Sequence, residues 1–370
     1  MRIDRVDKML PGENVCTGCG ACKNICPVNA IKMCTNFEGF LYPGIQDEKC
    51  IHCKRCEHVC PIKKNIENDE YEEYFAVQAK TDEKESTSGG IFAIIAKYVL
   101  SQGGIVFGAA FDKNYKVIHK YIAKEEQLYQ LQGSKYVQSE IKYTFRQAKN
   151  FLDKGKMVLF SGTPCQIAGL RKYLSVTYEN LICVDLICHG VPAPKIWKMY
   201  LRTFHKNKNI KSIRFRDNKY MKEKVFSIQY GDSKRYVKEY PNDPYIWGFC
   251  YDLFLRKSCY NCMFKGVVSY SDLTLGDAWG AENYAKSLYR RKKRTSVVIL
   301  RGEKGVQIFD QISNNIEYQK VDKSQVIKYN PCIVSSVSCN KERENFFEEL
   351  KKHCFRYVLK KYYYKGVINK

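Results

Sequence analysis

Acidic residues and long apolar runs are what this sequence has least of. Its 370 residues hold 39 Asp and Glu against 62 Lys and Arg, a formal net charge of +23 at pH 7. An excess of that size draws in anionic partners over long range, whether acidic proteins, anionic cofactors, membrane surface or nucleic acid. Nucleic acid is not expected, because no zinc finger, RRM or helix-turn-helix pattern is present. Nothing approaches the roughly 18 apolar residues of a membrane span; the best stretch, Ile91 to Leu100, is interrupted by Lys97. The start, Met1-Arg-Ile-Asp-Arg-Val-Asp-Lys8, is charged and lacks the apolar core of a signal peptide. A cytoplasmic protein is therefore expected, so the eighteen cysteines do not read as the disulfide framework of a secreted chain. The length suits two or three domains, and 45% hydrophobic content is ordinary for a globular protein.

What is present is cysteine in a strict pattern. Cys16-Thr-Gly-Cys19-Gly-Ala-Cys22-Lys-Asn-Ile-Cys26-Pro27 and Cys50-Ile-His-Cys53-Lys-Arg-Cys56-Glu-His-Val-Cys60-Pro61 both follow C-x2-C-x2-C-x3-C-P. Three thiolates at that spacing grip three corners of a 4Fe-4S cube, and the fourth reaches the other cube. By the crossed rule Cys16, Cys19, Cys22 and Cys60 hold one cluster, and Cys50, Cys53, Cys56 and Cys26 the other. Zinc sites and disulfides do not call for four spaced cysteines plus proline written twice. Cys34 falls outside both runs and is expected to be a small buried residue. His52 and His58, between ligands, are expected to be exposed or packed beside a cluster rather than ligating. Low-potential clusters incline toward an anaerobic or strongly reducing cell.

After an acidic stretch, Glu67 to Glu73, Tyr74 to Ala79 has the composition of a strand. Ser86-Thr-Ser-Gly-Gly90 then precedes an apolar helix ending before Ser101-Gln-Gly-Gly104. Such an N-terminus either receives an anion or is simply capped. Ile105 to Phe111 and Val117 to Ile122 suggest a hairpin, followed by an amphipathic helix from about Glu140 to Lys154. The buried strand Met157 to Phe160 runs into Ser161-Gly-Thr-Pro-Cys-Gln166. There Thr163 suits an N-cap and Pro164 the first helical position. Cys165 then sits in the first turn, where the helix N-terminus is expected to depress its pKa.

A second strand, Leu181 to Ile187, runs into Cys188-His-Gly, and Cys259-Tyr-Asn-Cys262 supplies a further CxxC. Cys165, Cys188, Cys259 and Cys262 are thus four thiols at loop ends. Spacing alone leaves open a third cluster, a zinc site, a redox disulfide or separate buried cysteines. Cys183, Cys250, Cys332, Cys339 and Cys354 are expected in the core. Ser271-Asp-Leu-Thr-Leu-Gly-Asp-Ala-Trp-Gly280 is a strand ending in a loop suited to a ligand or cluster. Residues 286–295 form a basic run, a solvated loop or an anion-docking surface. A Tyr- and Lys-rich tail with a helix from Lys341 to Leu350 closes the chain.

Ser161-Gly-Thr-Pro-Cys-Gln, Cys188-His-Gly, Cys259-x-x-Cys262-x-Phe-Lys-Gly and Leu275-Gly-Asp-Ala-Trp-Gly280 resemble, in order, the coenzyme F420 hydrogenase/dehydrogenase beta-subunit family. The resemblance covers roughly residues 75–320, with a ferredoxin unit fused in front. It implies an iron–sulfur flavoprotein with FAD between the clusters and an exchangeable acceptor, and a third 4Fe-4S cluster on Cys165, Cys188, Cys259 and Cys262. The FAD stretches it implies are Ser88-Gly89-Gly90, Gly133-Ser134-Lys135-Tyr136 and Gly162-Thr163-Pro164. Two departures touch the acceptor side: Asn218-Lys-Tyr-Met-Lys-Glu replaces a Gly-Trp element, and Ala278 stands where relatives carry a bulkier aromatic residue. Fused-ferredoxin relatives also occur in bacteria without F420, some beside polysaccharide-building enzymes.

The fold class expected is mixed, α+β and α/β: a bacterial-ferredoxin-like domain followed by a mixed α/β iron–sulfur flavoprotein domain. The expected divisions are 1–66 ferredoxin-like, 67–74 linker, 75–154 and 155–320 the two parts of the flavoprotein domain, and 321–370 a basic helical tail. The expected function is an oxidoreductase. An acidic donor such as reduced ferredoxin feeds the clusters, FAD pairs the electrons, and an anionic organic acceptor, F420-like or from a polysaccharide pathway, receives them. His189 and Asp277 are candidates for supplying a proton or orienting the acceptor. The alternative is a non-catalytic subunit that hands electrons to a partner enzyme.

Overall fold

The computed structural model describes residues 10–63, 71–81, 85–220, 224–266, 269–289 and 293–368. In chain order the described strands are β1 (Ile31–Thr35), β2 (Leu41–Ile45), β3 (Glu72–Ala79), β4 (Ile105–Phe111), β5 (Val117–Ile122), β6 (Val158–Gly162) and β7 (Leu181–Leu186). They continue as β8 (Ile210–Arg214), β9 (Val225–Tyr230), β10 (Arg235–Glu239), β11 (Leu273–Asp277), β12 (Ser296–Arg301) and β13 (Ile316–Lys320).

Apolar runs buried on both faces make the centre of an eight-stranded sheet, ordered β13-β3-β12-β11-β7-β6-β4-β5. β4, β6, β7 and β11 run parallel, so their carboxyl ends share one edge, where loops of α/β proteins carry ligands. The outer strands are antiparallel. Helices Ile91–Ser101 and Gly302–Ile312 cover one face through Ile95, Val99, Phe309 and Ile312. Thr144–Asp153 and Pro164–Leu174 cover the other through Phe145, Leu152, Ile167 and Leu170, and Cys19 and Ala21 of the N-terminal unit join that cluster.

The N-terminal unit is an antiparallel hairpin, β1 and β2, with short helices Ala21–Ile25 and Arg55–His58. Arginines of the body fix it. Arg146 donates through Nε to the Asn24 carbonyl at 2.6 Å and through a terminal nitrogen to the Cys26 carbonyl at 2.7 Å. Arg343 binds Glu38 bidentately at 2.9 and 2.5 Å, the pair nearly excluded from water. A three-stranded sheet, β10-β9-β8, shares an aromatic core with Phe40, Tyr42, Trp197, Tyr245, Phe346 and Leu359.

Several expectations shift. β3 begins at Glu72, inside the stretch 67–74 assigned to a linker, because its antiparallel pairing reaches Arg301↔Glu72; residues 67–70 lie outside the described ones. The amphipathic helix starts at Thr144 rather than Glu140, which instead bridges to Ile118. The chain from Arg343 is two helices, Arg343–Lys352 and Phe355–Ile368, and the second adds Val358 and Leu359 to the aromatic core. Within the basic run, residues 290–292 lie outside the described ones, as do 221–223 of the Asn218 segment.

Candidate iron–sulfur and flavin site

The crossed pairing of the two N-terminal runs is reproduced in space. Burial pushes the Cys19 and Cys22 thiols well up, and each is raised further by Cys16 and Cys60. Burial likewise raises Cys56, with Cys26 and Cys50 beside it. Cys26, Cys50, Cys53 and Cys56 line one cavity, walled by Ile31, Ile45 and Ile51, and Cys26 Sγ accepts from the Ala30 N–H at 3.2 Å. Gly18 and Gly20, at φ 69° and 76°, supply the left-handed turns that bend the first run back on itself. His52 and His58 are exposed.

The second group of thiols gathers at the carboxyl edge of the parallel strands. Thr163 caps the helix after β6, with its N–H donating to Gln166 Oε1 at 3.0 Å and Pro164 in first place. Cys165 stands in that first turn, and Cys188 follows β7. Burial is the largest influence on Cys165, with Cys262 and Cys259 adding to it, and on Cys188, with Cys259, Cys165 and Cys262 adding to it. The expected depression of the Cys165 pKa is corrected: burial pushes the metal-free thiol up to about 12, outweighing the Thr163 hydroxyl that lowers it. Lys265 opposes the rise at Cys188. All eighteen cysteines are free thiols. Among the described residues no three His, Cys, Asp or Glu side chains are spaced for a single metal ion. A cube spreads its four thiolates over four irons, so sets spaced for it escape a one-ion criterion.

The three sets adjoin in series. Cys22 of the first feels Cys56 of the second, and Cys19 of the first feels Cys165 of the third. Gly169, one helical turn beyond Cys165, permits the last approach: a β-carbon there would lie 2.9 Å from Cys19 Sγ.

Two of the three stretches implied for FAD meet. Thr87 and Ser134 hydroxyls lie 3.1 Å apart, and the Gly89 N–H donates to Ser296 Oγ at 2.9 Å. Gly90 and Gly133 have φ of 89° and 82°. Lys135 is turned inward, its amine donating to the carbonyls of Leu131, Gln132 and Gly133, and burial lowers its pKa to about 7. The Gly162-Thr163-Pro164 stretch sits at the end of β6; its neighbour Ser161 accepts at its carbonyl from His119 at 2.9 Å. Two buried atoms of the adjoining surface, Arg216 Nε and Asn218 Oδ1, have no partner. Arg216 pairs with Asp277 at the end of β11, and both Arg216 and Lys224 lie against the Trp279 ring. Orphaned donors and acceptors beside glycine turns fit a polar, anionic ligand such as a flavin nucleotide.

Asp277 is thus an ion-pair partner. His189 Nε2 lies 2.6 Å from Asp252 Oδ1 and its Nδ1 3.8 Å from Cys332 Sγ, an arrangement spread over three loops that no local spacing announces. Burial pulls the His189 pKa down, but hydrogen bonds from Asp252 and Cys332 prevail and hold it at about 9. Cys183 is buried as expected. Cys332 and Cys34 are half-buried, and Cys250, Cys339 and Cys354 are exposed, so the expected core placement of these residues is corrected.

Residues 155–324 match the family described as the C terminus of the coenzyme F420 hydrogenase/dehydrogenase beta chain, and residues 15–64 match the 4Fe-4S dicluster domain. The chain carries both domains. Coenzyme F420-dependent sulfite reductase of Methanocaldococcus jannaschii is 28% identical over 197 residues, which are 50% of this chain and 29% of that protein. The F-type component of the F420H2 dehydrogenase of Methanosarcina mazei is 22% identical over 337 residues, 84% of this chain and 86% of that one. The chain thus spans less than a third of the first relative and most of the second. A solved structure, the F420-reducing NiFe hydrogenase complex from Methanosarcina barkeri, aligns over 72% of this chain and 93% of its own at 15% identity and TM-score 0.47. The ferredoxin-like unit and the beta-subunit domain make this an iron–sulfur protein related to subunits of F420-linked oxidoreductases. No described helix is long and apolar enough to cross a membrane.

Proposed function

We propose that the chain is an iron–sulfur flavoprotein oxidoreductase in which three 4Fe-4S clusters lead to FAD. When bound, the clusters carry single electrons and the flavin exchanges them for a hydride. Cys26, Cys50, Cys53 and Cys56 form the entry, because Cys53 is the exposed ligand and Lys54 and Arg55 beside it are exposed. A reduced acidic protein such as ferredoxin suits that surface. Cys16, Cys19, Cys22 and Cys60 hold the middle cluster, and Cys165, Cys188, Cys259 and Cys262 the inner one.

At the far end, Ser88, Gly89, Gly90, Gly133 and Ser134 offer backbone and hydroxyl contacts to the flavin nucleotide. Arg216 and Lys224 offset charge on it or on the acceptor, and Trp279 gives a flat apolar surface. The acceptor is an anionic organic molecule, F420 itself being the first to test because both named relatives act on it or depend on it. The observation that carries the reading is the serial contact of the three thiol sets, Cys56 to Cys22 and Cys19 to Cys165.

Cys165→Ala in the anaerobically purified full chain is the test. The variant is expected to lose about four of twelve irons while keeping the low-temperature EPR signals of the outer clusters, and to stop passing electrons from reduced ferredoxin to F420. Unchanged iron, or undiminished transfer to the acceptor, would sink the proposed path.

A further inference from the structure

A buried guanidinium stands between the first and third thiol sets without an acid to pair with. Arg256 is 0% exposed. Its Nε donates to the Cys16 carbonyl at 2.8 Å, and its terminal nitrogens donate to Gln138 Oε1 at 2.9 Å and to the Leu41 carbonyl at 3.1 Å. Every one of these acceptors is neutral. The other two buried arginines each hold a carboxylate, Arg216 that of Asp277 and Arg343 that of Glu38. A guanidinium keeps its proton at any working pH, and a buried charge left without a counter-charge is strongly unfavourable. The rings of Tyr42 and Phe40, 4.1 and 5.2 Å from the guanidinium carbon, offer only the weak field of an aromatic face.

The surroundings say where the missing negative charge belongs. On one side Arg256 is bonded to the backbone of Cys16, and its tip fills the space left by Gly18, where a β-carbon would lie 2.9 Å from a guanidinium nitrogen. On the other side its charge acts on Cys165 and Cys259. Arg256 also leads directly into the Lys257–Cys259 turn that carries the CxxC.

We propose that Arg256 is the counter-charge shared by the middle and inner clusters, a positioning residue that sets their reduction potentials and holds them in register. This rests on the third-cluster reading above. Each oxidised cluster with its four thiolates carries about −2, and accepting one electron from the reduced iron–sulfur donor takes it to about −3. The guanidinium stays at +1 and no proton is taken up, so the fixed positive charge favours the reduced form of both. The outer cluster, on Cys26, Cys50, Cys53 and Cys56, is not in contact with it.

The experiment is an EPR-monitored reductive titration of the anaerobic full chain, with iron quantified on the same samples. Arg256→Gln keeps hydrogen-bonding capacity and removes the charge. Gln138→Glu leaves the guanidinium in place and neutralises it with a carboxylate, which keeps the proposal testable if R256Q fails to load iron. Either variant is expected to disfavour reduction of two of the three couples by tenfold or more, about 59 mV per tenfold for one electron, and to leave the third unmoved. Arg256→Lys is expected to restore most of the shift. Twelve irons with no couple displaced, or with all three displaced alike, would overturn the role of Arg256 alone. A parent chain that reproducibly holds about eight irons would overturn it together with the third cluster.

Discussion

Gly169→Ala is the substitution whose outcome separates a tied Cys19 from a free one. In a helix interior alanine is better than glycine by about 0.8–1 kcal/mol, so with nothing in the way the variant would be the more stable protein. The new β-carbon, however, would stand 2.9 Å from Cys19 Sγ, 3.0 Å from Cys19 Cβ and 3.5 Å from the Phe145 ring. Relief requires either a turn of the Cys19 side chain or a shift of the N-terminal unit against the Pro164–Leu174 helix. Overpacking of that kind costs about 1–3 kcal/mol. In stripped protein the thiol is free to turn, and the propensity gain survives. In loaded protein Cys19 Sγ is held by iron, the strain falls on the domain contact, and net destabilisation of up to about 2 kcal/mol is expected. Urea unfolding of loaded and stripped samples in parallel reads the difference. Gly12→Ala is the control, since no atom lies within 4 Å of its β-carbon position. Equal stabilisation of both forms by about 1 kcal/mol would refute the reasoning, because it would mean that Cys19 yields freely.

Other outcomes follow from the same structure. Glu38→Ala leaves Arg343 charged and buried, so a loss of about 3–5 kcal/mol is expected, visible in urea unfolding and largely recovered in Glu38→Leu/Arg343→Leu; a loss below 1 kcal/mol would contradict a buried pair. His119, buried against Ser139 and the Ser161 carbonyl, has its pKa lowered from 6.5 to about 4 by burial. The unfolded chain therefore takes up this proton first as pH falls, so the contribution is whole above 6.5 and is lost between 6.5 and 4, roughly 3 kcal/mol in all. His119→Gln should flatten that limb of the stability profile, and an unaltered slope would speak against it. Arg146→Ala removes the bonds to the carbonyls of Asn24 and Cys26; faster proteolysis of the N-terminal unit is expected, with the body's unfolding midpoint unmoved.

The two N-terminal sets were legible because their spacing is local: each run writes its three ligands and its crossed fourth within eleven residues. The third set was legible only as four thiols at strand and loop ends. What joins Cys165 to Cys259 and Cys262 is the parallel order of β6, β7 and β11, a tertiary fact. The same limit hid the His189, Asp252 and Cys332 group and the unpaired state of Arg256, since a charge is recognised as unpaired only when its neighbours are known. Cys250, Cys339 and Cys354 went wrong for a different reason. The tendency of cysteine to be buried is a property of the residue type, and nothing around these three carries a periodic pattern to specify a face. The sheet β8 to β10 was missed because its strands are short and, apart from β9, mostly half-exposed.

Iron, acid-labile sulfide and flavin quantified on one anaerobically purified sample bear most directly on the central claim. Three clusters leading to a flavin require about twelve irons, about twelve sulfides and about one FAD per chain. About eight irons and no flavin after attempted reconstitution would contradict the account and leave a ferredoxin attached to a domain that hands its electrons elsewhere.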